Sequence, residues 1–161
     1  MMKDQSPGVA KNGKMLRILF LCTGNSCRSQ MAEGWARALK SDVVEAYSAG
    51  IESHGLNPLA VKVMAEAGVD ISRQQSKTID AVKKIPFDYV VTVCSHANEN
   101  CPMWLGDKAT VVHVDFDDPP ALAKGAKTDG EALVHYRRVR DEIRNFVQSL
   151  PEALTGPTAT Q

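Results

Sequence analysis

The side chains best suited to chemistry in this chain are four cysteines, Cys22, Cys27, Cys94 and Cys101. Cys22 opens the run Cys22-Thr23-Gly24-Asn25-Ser26-Cys27-Arg28-Ser29. Glycine and asparagine at its tip tolerate left-handed backbone angles, so the run can curl with successive N–H groups facing inward. A helix starting at Arg28 adds its positive end, and the two together make a nest for a tetrahedral oxyanion. Arg28 contributes a planar fork of donors that matches two oxygens at once. A thiol at the mouth of such a nest is favoured as the thiolate, and so as a nucleophile. Ser29 is placed to donate a hydrogen bond to that sulfur. The plain alternative is an inert, buried Cys22 in a strand-to-helix turn; a strand, Cys-x5-Arg-Ser and a helix in succession is the rarer pattern. Cys27 reads as a bystander that oxidation could reach.

Cys94 and Cys101 are the second feature. As zinc ligands with His96 and His113 they fit poorly, because close ligands in zinc sites are usually two to four residues apart. A structural pair and a redox pair remain open. If residues 95–100 are helical, the two Cα atoms lie about 10 Å apart at ~1.5 Å per residue. A disulfide needs them within ~7 Å. The segment must then unwind for the bond to form, carrying Cys101 from buried to exposed. Asp117 and Asp118, before Pro119-Pro120, are either a solvated turn or a proton donor beside the cysteines. His54 and His113 read as structural, and Trp35 and Trp104 as packing anchors.

These groups need elements to bring them together. Leu16 to Cys22 is a short apolar run without helical period, as in a buried strand. From about Arg28 to Lys40, Met31, Ala32, Trp35 and Leu39 share a helical face. Val43 to Ala49 is a second strand, closed by Gly50. Asn57-Pro58 is an N-cap followed by proline at the first helical position. The helix it opens carries Ala60, Val63, Met64 and Ala67, with Gly68 as its stop. Ile79 to Ile85 reads as a short helix ended by Pro86. Asp88 to Cys94, rich in β-branched residues, and Ala109 to Phe116 are the remaining strands. Thr128-Asp-Gly-Glu131 matches a capping box, and the helical spacing from Tyr136 to Leu150 runs until Pro151. Strands alternating with helices predict a three-layer, doubly wound α/β domain on a four-stranded parallel sheet. In such sheets ligands collect beyond the carboxyl ends of the strands. Cys22, Cys94 and the Asp117-Asp118 pair all fall at such ends, so the architecture gathers them on one rim.

Of the 161 residues, 43% are hydrophobic and 24% charged, which suits one soluble domain, expected over residues 15–152 with flexible tails at 1–14 and 153–161. Nineteen basic side chains balance nineteen acidic ones, so nothing draws the whole molecule to nucleic acid or an anionic membrane. No apolar run approaches the ~20 residues of a membrane span. The polar start has no apolar stretch of leader length, so the expected location is the cytoplasm; zero net charge and no obvious exposed apolar face make a monomer the expected state. In a reducing compartment the thiols are free, metal-bound or redox-active.

The run from Leu21 to Ser29 resembles the phosphate loop of the low-molecular-weight protein tyrosine phosphatase superfamily. A longer similarity, from Arg17 to about Leu150, is to its thioredoxin-coupled arsenate reductases. It is carried by Gln30-Met-Ala-Glu-Gly-Trp35, Tyr47-Ser-Ala-Gly-Ile51, His54-Gly-Leu-Asn-Pro58, Val90-Val-Thr-Val-Cys94 and Phe116-Asp-Asp-Pro119. The loop alone fits phosphatase and reductase equally; Cys94-x6-Cys101-Pro102 separates them, because a reductase must supply two electrons and end in a disulfide a partner can reach. The resemblance implies a low-molecular-weight phosphatase-like fold in which Thr23 to Ser29 hold the oxyanion. It implies that Cys22 attacks arsenate with Asp118 as proton donor, Asp117 being the fallback. Cys94 then attacks the adduct, releasing arsenite, and Cys101 displaces Cys22. The final Cys94–Cys101 disulfide passes to thioredoxin, with no cofactor and no catalytic metal. Related phosphatases carry aromatic residues after the Asp-Pro; this chain has Pro120, Ala121 and Leu122. Some such reductases bind potassium through Asn, Glu, Ser and Asp. Asn25, Glu33 and Ser48 match, but Lys77 takes the fourth position, so no potassium requirement is expected. A phosphatase of small phosphate esters or phosphotyrosine and a non-catalytic oxyanion-binding or redox-sensing module are the other readings.

Overall fold

The structure, a computed structural model, describes residues 15–155. Its centre is β1 (Leu16–Cys22), whose residues Ile18 to Leu21 are wholly buried, as a run apolar on both faces requires. β1 lies between β2 (Val44–Gly50) and β3 (Tyr89–Thr92), and β4 (Thr110–His113) completes the order β2-β1-β3-β4. Every pairing is parallel, with Cys22 opposite Gly50 and Leu21 opposite Thr92. The doubly wound, four-stranded sheet expected from the alternation is therefore present.

The connections leave β1 and β3 in opposite directions along the sheet. Because parallel crossovers are right-handed, this puts the intervening helices on opposite faces and opens a crevice between the two strand ends. The first connection is α1 (Arg28–Leu39), which packs on β1 and β2 and against α6 (Asp129–Gln148). The second holds α3 (Ser95–Glu99) and α4 (Met103–Lys108). Between β2 and β3 come α2 (Pro58–Glu66) and a 3-10 turn at Ile79–Val82, shorter than the helix expected to reach Ile85.

Local signals held where side chains make them. Asn57 Oδ1 accepts from the N–H groups of Leu59 and Ala60 at 2.8 and 3.2 Å, and Gly68 stops the chain with φ +89°. Thr128 Oγ1 accepts from Glu131 N at 3.2 Å, but Glu131 reaches back to the N–H of Lys127, one residue earlier than a standard capping box. β3 and β4 are shorter than the apolar runs that suggested them, and Cys94 caps α3 instead of ending β3. After α5 (Pro119–Leu122), the long α6 leads into α7 (Glu152–Thr155), where Leu154 is buried. The packed chain thus passes the expected boundary at 152, because this leucine covers the core beyond Pro151. Residues 1–14 and 156–161, expected as tails, lie outside the described residues.

Candidate active site

The loop after β1 is held from outside by its own carbonyls. Ile51, Glu52, His54 and Asn57 donate backbone N–H groups to the carbonyls of Cys22, Thr23, Gly24 and Ser26 at 2.8–3.1 Å. With the oxygens turned outward, the N–H groups of Thr23 to Cys27 have no acceptor among the described residues. α1 follows with Cys27 as N-cap and no capping side chain, so its first donors also face the loop. The loop curls at the tip anticipated from Gly24 and Asn25, where Asn25 adopts a left-handed φ of +47°. Gly24 is required for a second reason: a Cβ there would stand 2.3 Å from His54 Nδ1. Gly50 is similarly confined, its notional Cβ lying 2.7 Å from the backbone N of Asn25.

Buried polar side chains brace the loop from beneath. Asn25 Nδ2 donates to Ser29 and Ser48 at 2.9 and 3.0 Å, and its Oδ1 accepts from Gln30 Nε2 at 3.0 Å and Lys77 N at 2.8 Å. Ser48 donates to Glu33 at 2.5 Å, and Arg37 pairs with the other Glu33 oxygen at 2.6 Å. The oxygens that would bind a potassium ion are thus already engaged. Lys77 joins through its backbone, while its ammonium turns to the carbonyl of Gln75 at 2.8 Å. Burial pushes that ammonium's pKa down, against the opposing pull of Glu33. Gln30 is a site residue that sequence reasoning missed; only its burial in the fold shows that it ties Asn25 to Gln75.

Above this brace is a cavity of about 340 Å³ lined by Cys22, Arg28, His54, Asn57, Asp118 and Pro120 together with the loop. Cys22 Sγ lies 2.8 Å from Ser29 Oγ. Arg28 donates through one terminal nitrogen to the carbonyl of Phe116 at 2.9 Å, and the other stands 3.5 Å from Asp118 Oδ1. Its Nε is the single buried side-chain polar atom without a partner among the described residues. Such a donor is expensive to leave unmet, and an oxyanion in the nest would satisfy it. Asp117 points elsewhere, pairing with Arg138 on α6 at 2.9 Å. Cys27 is buried within the loop, and that burial pushes its thiol far above the ordinary range, reinforced by Cys22 and opposed by Arg28.

No disulfide joins any of the four cysteines. Cys94 reaches the rim of the loop, its Sγ 3.3 Å from Thr23 Oγ1, whose other neighbour is His96 Nδ1 at 3.0 Å. Cys101 lies beyond α3 and is already half-buried at the start, not fully buried as expected; burial raises its thiol pKa. His113 turns to Thr92, and no group of three or more His, Cys, Asp or Glu able to hold a metal occurs among the described residues. His54, expected to be structural, lines the cavity as well as pairing with Glu52. Trp35 is buried and donates to the Arg140 carbonyl, as an anchor should, but Trp104 is partly exposed.

Residues 17–158 match the family described as low molecular weight phosphotyrosine protein phosphatase. The chain belongs to this family. Among its members it is 53% identical to an arsenate reductase of Halalkalibacterium halodurans and 52% identical to one of Bacillus subtilis. Each alignment covers 84% of this chain and 94% of the relative. Among solved structures of the family, an arsenate reductase in the phosphate binding state superposes with a TM-score of 0.68 at 33% identity. That superposition covers 84% of this chain and 96% of the other. The phosphatase-like fold of this chain is thus also that of a solved arsenate reductase. No helix among the described residues is long and apolar enough to cross a membrane.

Proposed function

We propose that this chain reduces arsenate to arsenite, using its own thiols as the source of two electrons and thioredoxin to restore them. The observation that carries the reading is the contact between Cys94 and Thr23, which brings a second thiol to the rim of the oxyanion loop. A phosphatase needs one cysteine and an acid; a second thiol at the rim of the same loop is what a reductase requires. The naming of its relatives as arsenate reductases supports the same reading.

The chemistry runs as three displacements. The Cys22 thiolate attacks arsenate seated among the loop N–H groups and Arg28, and Asp118 protonates the oxygen that leaves as water. The Cys94 thiolate then attacks Cys22 Sγ. The sulfur–arsenic bond breaks, its electron pair stays on arsenic, and arsenite departs as the Cys22–Cys94 disulfide forms. Cys101 attacks Cys94, frees Cys22 as a thiolate and leaves a Cys94–Cys101 disulfide for thioredoxin to reduce. No cofactor enters, and the proposed setting is a cytoplasmic monomer.

The test is purified protein with arsenate, thioredoxin, its reductase and NADPH. Arsenate-dependent NADPH oxidation is expected, and its loss in Cys22→Ser, Cys94→Ser and Cys101→Ser alike. Hydrolysis of phosphate esters that needs Cys22 but neither Cys94 nor Cys101, without arsenate-dependent oxidation, would assign the chain to the phosphatases. Oxyanion binding without either turnover would leave a binding module.

A further inference from the structure

Two side chains converge on the Thr23 hydroxyl from the start of α3, one from its N-cap and one from its first turn: Cys94 Sγ at 3.3 Å and His96 Nδ1 at 3.0 Å. Cys94 is buried, whereas His96, two residues along at the start of α3, is exposed. A hydroxyl carries one proton and two lone pairs, so it can accept from one neighbour while donating to the other. With the thiol protonated, S–H donates to Thr23 Oγ1 and the threonine O–H donates to Nδ1 of a neutral imidazole. Moving each proton one place leaves a thiolate that accepts from Thr23 O–H, and an imidazolium whose Nδ1–H donates to the threonine oxygen. The same heavy-atom positions serve both states. Cys94 therefore has a route for its proton out of the fold that needs no rearrangement.

We propose that His96, acting through Thr23, accepts and holds the Cys94 thiol proton, so that a thiolate faces an imidazolium across the threonine hydroxyl and Cys94 is prepared to attack. His96 is thus a positioning residue for Cys94, and what the thiolate attacks rests on the function proposed above. The surroundings suit this role. Among the described residues the imidazole–carboxylate pairs are His54 with Glu52 and His113 with Asp115, so the His96 ring has no carboxylate partner there. Of the titratable groups around it, Cys94 faces it through Thr23, Cys22 precedes Thr23 in the chain, and Glu99 lies on its own helix. Asn100 Nδ2 holds the His96 carbonyl at 2.8 Å, anchoring the backbone and leaving the ring free.

The experiment reads Cys94 directly and needs no arsenate. In the full chain carrying Cys22→Ser and Cys101→Ser, alkylation of Cys94 by iodoacetamide is followed against pH by mass spectrometry. His96→Gln keeps a hydrogen bond to Thr23 but cannot take a proton. It should slow alkylation about 10-fold near pH 7 and less than about twofold near pH 10, where hydroxide removes the proton instead. Thr23→Val should behave like His96→Gln, and Thr23→Ser should restore the original profile. An unchanged rate near pH 7 in His96→Gln, or an equal loss at both pH values, overturns the relay. A chain that alkylates as expected yet leaves arsenate unreduced would defeat the proposed function and not the relay.

Discussion

At the scale of single residues, the site divides groups that share a chemical type. Asp118 faces Arg28 and the cavity, whereas its neighbour Asp117 is spent on Arg138, an exposed pair worth little. Asp118→Asn is therefore expected to lower arsenate-dependent turnover about 100-fold, the usual scale for a lost general acid. Asp117→Asn should stay within about twofold in the same assay. Cys27 is the counterpart among the thiols. Because burial raises its pKa, the folded chain holds this proton after the unfolded chain has released it. Its contribution to stability is whole below the unfolded thiol value of ~8.5 and is lost as pH rises past it, at up to about 1.4 kcal/mol per pH unit. Urea denaturation between pH 8 and 10 should accordingly fall less steeply for Cys27→Ala than for the unaltered chain.

At the scale of elements, the oxyanion loop is shaped less by its own residues than by what α1, β2 and the segment before the 3-10 turn send beneath it. Ser29, Gln30 and Glu33 are buried polar residues on one helix, which an apolar core alone would not tolerate. They are accounted for once Asn25 and Ser48 are seen to complete their hydrogen bonds. Asn25 Oδ1 already accepts twice, and both Glu33 oxygens are engaged. Potassium in place of sodium at equal ionic strength should consequently leave kcat/KM for arsenate unchanged, while a several-fold rise would mean that the network opens to admit the ion.

At the scale of the whole molecule, the electrons must travel from a rim inside the cavity to a surface a partner can reach. α3 stands between Cys94 and Cys101 and is held by Thr92 Oγ1 on Asn98 at 3.1 Å, by Thr23 Oγ1 on His96 at 3.0 Å and by Asn100 on the His96 carbonyl. A five-residue helix on so few ties is weakly held, and the disulfide cannot span it intact. Amide exchange over residues 94–101 should be faster in the oxidised protein than in the reduced one, with the rest of the sheet unaltered. Equal protection in both states would contradict the unwinding. Beyond Cys101, Met103 and Trp104 stay exposed on α4, apolar surface adjacent to the thiol that a reducing partner must approach.

The amino-acid sequence by itself determined the strand-helix alternation, the curl at Gly24-Asn25, the Asn57 cap and the three strand ends that share a rim, because backbone preferences and apolar periods are local. It left Asp117 and Asp118 nearly equivalent, took His54 as merely structural, and offered no sign of Gln30 as a brace or of His96 meeting Thr23. Those depend on which way side chains turn after distant segments pack: Arg138 drawing Asp117 aside, His54 lying over Gly24, Thr23 meeting α3. Tertiary structure decided them because a hydrogen bond across roughly seventy residues leaves no period in the chain that makes it.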